Sequence, residues 1–401
     1  MNSRGSRSVE GALPPWLWFW LGATLILAFR EGPISLLGEG IYLFTGYPAL
    51  GTHVSSFRMV GLAFVLPLGV LLAGAATVLL PWVRAAFLER HYALSEPSPG
   101  LFAEKPTLKK ICDFVHAHDP GIRIRVNKTH TGGDAFVYPL GHRKAAIAIF
   151  SLPMIVLWQK HRSQAEAVLL HEIGHRRHGD VLIIGAGSLF TTFVRYGLIV
   201  GTAGLTVGFT AFELRFIGGV PDTSTELLTM GLVTLSSPIV ALVVSTPLLI
   251  MPVAGIWSAE FSADRYAIEA QGSSDALLQF VSMPRFRQPK QRWFRWLVWW
   301  MSHPPHRLRS WAVRRYSRPT TSMVLLCLFP AASLIGALCQ VVWDTKLFQD
   351  RQAFLAALQA NLDQTAPYWV AMVAFIALWP CIAGLWERLF GAEPPTGRKF
   401  G

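Results

Sequence analysis

Charge is scarce in this chain, and acidic charge scarcest. Only 15% of the 401 residues are Asp, Glu, Lys or Arg, and 24 acidic residues stand against 36 basic ones, a formal net charge of +12. Soluble domains carry about a quarter of charged residues, so the deficit argues against a wholly soluble protein. Cysteine is equally sparse. Cys112, Cys327, Cys339 and Cys381 form no CxxC pair, and three of them lie in apolar bands. Neither a disulfide framework nor a cysteine zinc site is indicated. Internal repeats are lacking, and no basic cluster interleaved with aromatics falls in a recognisable nucleic-acid fold. The positive charge is therefore not assigned to a nucleic-acid partner.

What the chain has instead is apolar surface: 52% hydrophobic residues, 15 tryptophans and a mean hydropathy of +0.38. Bands of about 20 apolar residues separated by polar loops are the pattern of a multi-pass α-helical membrane protein. Candidate spans cover 14–29, 59–83, 181–211, 227–257, 321–343 and 367–386. The first, "PPWLWFWLGATLILAF", follows Arg4 and Arg7, and no small-x-small cleavage site closes it, so it reads as a retained anchor. Segments Arg84–Asp180 and Ser258–Pro319 hold most of the Lys and Arg, whereas loops 30–58, 212–226 and 344–366 hold few. Basic and non-basic loops alternate strictly, which puts both termini and both large polar segments in the cytoplasm of a cell (inner) membrane protein.

The first polar segment reads as a small α/β unit. "TLKKICDFVHAH" (107–118) has helical periodicity, "IRIRVNK" (122–128) alternates like a strand, and "DAFVYP" (134–139) and "KAAIAIF" (144–150) form a pair joined by "LGHR". Helices are expected from about Pro153 and from about Ser163. "LSEPSPG" (94–100) reads as a linker.

The second of those helices contains "AVLLHEIGHRRHGD" (167–180). Residues four apart in a helix share a face, so His171 and His175 can reach one ion at about 2.0–2.1 Å. Glu172 lies about 100° round from His171, beside the metal, where a base can take a proton from water. A bare HExxH arises by chance about as often as by function; the preceding amphipathic "SQAEAVLL" raises the odds here.

The third ligand must come from elsewhere. A metzincin extension would require a glycine at position 178 and a histidine at 181; the chain has His178 and Val181. His178 remains open as a ligand, although at 1.5 Å per residue it lies about 10.5 Å along the axis from His171. The competing segment is "AEFSADRYA" (259–267), directly after the fourth span. Glu260 would complete two histidines and a carboxylate. Asp264, one turn on, could accept a hydrogen bond from a ligating histidine's other nitrogen.

Three separated motifs, "HEIGHRRHGD", "EFSADRYA" and "SHPPHRLR" (302–309), give a chain that resembles the integral-membrane zinc metallopeptidases of the M48 family, which includes a bacterial heat-shock membrane protease and the CaaX prenyl protease. With their flanking spans they cover roughly residues 60–315. The resemblance implies a cytoplasmic α+β zincin-like (gluzincin) catalytic domain. It implies one Zn2+ per chain on His171, His175 and Glu260, Glu172 as general base, and His303 and Arg309 lining the site. It also implies a substrate lying as an added strand along the edge begun by Asp134, Ala135 and Phe136. Asp134 stands where the family usually has asparagine, and an ionised aspartate accepts hydrogen bonds but does not donate them. The chain also continues past the last motif with two further spans.

These observations divide the chain into an N-terminal region with two spans (1–90), the peptidase domain with two spans (91–319) and a C-terminal region with two more (320–401). The expected function is zinc-dependent endoproteolysis of membrane or membrane-proximal proteins. The bilayer is its surround, and the C-terminal spans are open to a homo-oligomer or partner contact. Two rivals remain: a sensor metallopeptidase of the M56 type, disfavoured by short external loops, and a zinc-bound membrane scaffold, disfavoured by Glu172. Cysteines introduced in loop 212–226 should label from outside intact cells, while those at 285–292 should not. The reverse pattern would put the HExxH segment outside the cell.

Overall fold

The computed structural model describes residues 69–128, 134–204 apart from 198 and 202, 252–282 apart from 254, 298, 300–315, and isolated helical positions between 352 and 390. The expected spans 14–29 and 321–343, and nearly all of 227–257 and 367–386, lie outside the described residues.

Helices α1 (Gly69–Leu79) and α2 (Pro81–His91) meet at 79°. Leu80 leaves the helical region (φ −122°) and Pro81 opens α2; proline cannot donate to the turn before it but suits a first helical position. The span expected over 59–83 thus breaks at residue 80, and 84–91 is helix rather than loop. Among the described residues no single helix is long and apolar enough to cross a membrane.

The expected linker 94–100 is partly built in: Ser95 bridges Val126, and the Ser98 hydroxyl accepts from Leu101 N–H (3.3 Å) at the start of α3 (Pro99–Glu104). Helix α4 (Pro106–His118) leads to β1 (Arg123–Asn127), β2 (Ala135–Pro139) and β3 (Ala145–Phe150). The sheet order is β1-β3-β2, with β3 parallel to β1 and antiparallel to β2. All six residues of β3 are buried, as a central strand covered on both faces requires. Ile147 and Ile149 face a core shared with Leu108, Ile111 and Val115 of α4 and with the next two helices. Ala146 and Ala148 face Ala85 and Leu88 of α2, together with Tyr138. The sheet is therefore a middle layer, with β2 at one edge.

Helices α5 (Ser151–Lys160) and α6 (Arg162–His178) complete the first layer. α6 carries the HExxH motif and ends at His178, before the apolar run 181–211. It stops at Gly179, whose φ of 73° suits glycine, and a short 3-10 turn (Asp180–Leu182) follows. The buried Arg84 guanidinium then donates to the carbonyls of Val181 (2.8 Å), Ile184 (2.6 Å) and Ala186 (2.7 Å). It satisfies carbonyls that a continuing helix would have bonded internally. Helix α7 (Leu189–Thr192) starts at the Ser188 cap and opens into a π turn, Phe193–Gly197, that contains Arg195. Arg195 is thus well past the end of α6.

Helix α8 spans 255–271, followed by α9 (Asp275–Val281) and α10 (His306–Arg314). α8 crosses α6 at Gly174, where an added Cβ would lie 3.0 Å from Ala263 Cα and 3.2 Å from its carbonyl oxygen. Because backbone cannot swing aside, Gly174→Ala should cost about 1–3 kcal/mol, read as a lowered unfolding temperature in detergent. Gly100→Ala, with open space around it, should not lower it.

Candidate metal centre

Burial explains why α6 can present histidines inward. Its apolar residues Val168, Leu169, Leu170 and Ile173 are buried in the core, and the same helix buries His171 and His175 at 7% exposure each. Their ring centroids lie 4.8 Å apart. Glu260, also 7% exposed, comes from α8. One donor atom from each of His171, His175 and Glu260 falls within 4.8 Å of the others. His171 Nε2 is 3.7 Å from Glu260 Oε2, and His175 Nε2 is 3.9 Å from Oε1. Ligands on a tetrahedral ion at about 2 Å stand about 3.3 Å apart, so small side-chain movements would suffice to close on a cation. His178, further along α6, is not in this group.

The opposite nitrogens show which way the imidazoles are turned. His171 Nδ1 is 2.8 Å from Asp264 Oδ1, which fixes its proton there and leaves Nε2 with a free lone pair. Arg309 clamps the same carboxylate with two bonds, Nη2 to Oδ1 (2.5 Å) and Nε to Oδ2 (2.7 Å), and its Nη1 is 3.8 Å from Glu260. The approach of Nη2 to His171 Nδ1 (3.3 Å) is donor against donor and adds no bond. Both faces of the Arg309 fork are thus committed to carboxylates that hold the cluster. Arg309 reaches them because the Pro304-Pro305 turn starts α10 one turn before it, with Arg309 N–H bonded to Pro305 O at 2.9 Å. His303, from the same turn, is more open, its side chain 41% exposed and Nδ1 3.3 Å from Glu260 Oε1.

Asp180 closes the motif HEIGHRRHGD, where spacing assigns it no role, and its Oδ2 lies 3.7 Å from His175 Nδ1. Both atoms are buried without a hydrogen bond, and 3.7 Å is longer than a hydrogen bond. The turn after Gly179 brings it there. The main-chain contribution is equally silent in sequence: Val137 N–H donates to Glu172 Oε2 at 2.9 Å. Phe150 N–H bonds Asp134 O, and Leu140 N–H bonds Lys144 O. Alternation then turns the backbones of residues 134, 136 and 138 toward β3, and those of Ala135 and Val137 toward the outer edge. Glu172 is therefore docked on the outer edge of β2, which no strand among the described residues covers.

Electrostatics fit a cation. Glu260, Asp264 and Asp180 are all buried around the two imidazoles, an arrangement too costly without positive charge. Burial pushes Glu260 up, but His303, His171 and Arg309 outweigh it and hold the carboxyl well below its ordinary range. Burial likewise raises Asp264, and Arg309 and His171 outweigh it and lower it. Burial lowers His175, yet the Asp180, Glu260 and Glu172 carboxylates push it up to about 9. A site that would protonate a buried imidazole to gain positive charge is one that a divalent ion can occupy. Two imidazoles and a carboxylate suit zinc with an open fourth position.

A family model described as peptidase family M48 matches residues 105–317, more than half of the chain. No curated protein and no solved structure matches it. The matched stretch includes every residue of the cluster.

Glu260→Ala should lose the bound metal by elemental analysis of purified protein, and His178→Ala should retain it. Asp180→Asn, which keeps the shape and removes the charge, should weaken metal affinity by about 10–100-fold in a chelator competition.

Proposed function

Because the chain belongs to peptidase family M48, a family of metallopeptidases, we propose that it is a membrane-embedded zinc endopeptidase. Its substrates are membrane or membrane-proximal proteins cut at the cytoplasmic face. The observation that carries this reading is the pairing of a buried His171–His175–Glu260 donor set with a carboxylate, Glu172, docked on an outer strand edge.

Zinc, when bound, supplies Lewis acidity that makes water more acidic and a peptide carbonyl more electrophilic. The chain's own residues do the rest. Glu172 takes the proton of the attacking water and returns it to the leaving amine. Val137 N–H holds one Glu172 oxygen, leaving the other for the proton. The outer edge of β2 receives an extended substrate through main-chain hydrogen bonds, beginning at Ala135. In this reading His303, the more exposed imidazole beside Glu260, donates to developing negative charge on the carbonyl oxygen. Arg309 is a positioning residue, acting through Asp264 and Glu260.

The membrane setting is supported by the apolar bands and the alternation of basic loops. It is also supported by α1 and α7, which lie side by side at the foot of two of those bands: Phe190 N–H donates to Thr77 Oγ1 at 3.0 Å. Glu172→Gln should reduce casein cleavage in detergent by at least about 100-fold while the protein retains about one zinc per chain by elemental analysis. Loss of metal in that variant would remove Glu172 from the role of base, and metal-independent cleavage by the wild type would end the metallopeptidase reading.

A further inference from the structure

Helix α2 is apolar on two opposite sides, and the sheet accounts for only one of them. Its inner side, Ala85 and Leu88, is buried against Tyr138, Ala146 and Ala148. Its outer side carries Trp82, Val83, Ala86 and Phe87 at helical spacing. Trp82 and Val83 are each 53% exposed and Phe87 56%. A helix apolar all round normally lies inside a protein or a membrane, and among the described residues nothing covers this outer side.

Three observations indicate what does. First, α2 meets α1 at 79°. If the 59–79 band enters the bilayer near its normal, α2 must run nearly parallel to the membrane plane. Second, the level of that plane is marked twice. The last turn of α1 and the first turn of α7 touch at Thr77 and Phe190, and both apolar helices break just outside this contact, at Leu80 and at Ser188. Third, the outer side has the chemistry of a headgroup boundary. Trp82 stands at the bend, edge-on to His142 at 6.1 Å. Exposed cationic residues flank both ends of the stripe, Arg90 at one and Arg143 and Lys144 of the 142–144 hairpin turn at the other. Tryptophan at the interface and Lys or Arg toward anionic headgroups are what an in-plane amphipathic helix presents.

We infer that α2 is an interfacial helix, its Trp82–Val83–Ala86–Phe87 side immersed at the headgroup–acyl boundary of an anionic bilayer. The sheet, and with it the β2 edge, is thereby fixed directly above the membrane surface. This rests on the membrane reading proposed above, and the test separates the two. A cysteine-free full-length protein carrying a single spin label at Val83→Cys, Phe87→Cys, Leu72→Cys or Lys109→Cys is reconstituted in phosphatidylcholine vesicles containing phosphatidylglycerol. Collision with oxygen and with a water-soluble nickel chelate gives the depth of each label. Leu72, exposed on α1, should lie deep, and Lys109, exposed on α4, should lie in water. Val83 and Phe87 should share one level about 5–10 Å inside the headgroup boundary. Labels at 83 and 87 as open to nickel as 109, with 72 still deep, would overturn the interfacial helix and leave the membrane reading standing. A label at 72 open to nickel would remove both. Labels at 83 and 87 shielded from both reagents would mean that protein, from a second copy or another part of the chain, covers this side, and would also overturn the inference.

Discussion

The clamp of Arg309 on Asp264 is the contact on which the rest of the site depends. It joins α10 to α8, and through the shared Asp264 oxygen it reaches His171 on α6. Three segments far apart in sequence meet at one carboxylate. Asp264 is buried and Arg309 largely so, so removing Arg309 would leave an uncompensated buried carboxylate. The same clamp turns His171 so that Nε2 faces Glu260; burial lowers the Arg309 pKa, but Asp264 and Glu260 outweigh it and keep the guanidinium charged. The cluster is thus held together by the chain's own charges.

A second buried guanidinium does comparable work on the backbone. Arg84 bonds three carbonyls of the turn after α6, holding the chain in a tight path where hydropathy alone would extend a helix. That path brings Asp180 to the rear of His175. It also starts α7 beside α1. The apolar band and the polar cluster are therefore separated by a built turn rather than joined by one long helix.

Elements with a clean period are legible in the sequence. β1, the β2–β3 pair, α4 and α6 follow from alternation or helical spacing bounded by turn residues, and the M48 likeness rests on motifs whose specificity exceeds that of any single spacing. The breaks at Leu80 and Gly179 are not legible in the same way, because apolar residues continue on both sides of each and a hydropathy window registers composition rather than hydrogen bonding. Pro81 and Gly179 are the local cues, and both are residues that apolar helices tolerate when neighbours supply the missing bonds. The parts played by Asp180, which closes the quoted motif, and by Val137 were hidden for different reasons. One depends on a left-handed residue before it, and the other contributes only its amide, which every residue possesses. Arg309 was legible as a member of the site, but that its fork is spent on Asp264 is visible only in three dimensions.

The seat of Glu172 on Val137 gives the proposed peptidase a ruler. Along a strand edge, outward-facing backbone groups recur every second residue, about 6.8 Å apart; on β2 they belong to Ala135, Val137 and Pro139, where Val137 N–H is held by Glu172 and proline offers only its carbonyl. A chain added to β2 can therefore slide only in two-residue steps, since a one-residue slip turns its bonding groups and side chains to the wrong sides. Because the base is anchored to the same edge that would measure the substrate, the bond offered to it and the side chains flanking that bond are set together. Selectivity would then reside in which alternate side chains of the segment face the protein, because a shift of one residue exchanges them all.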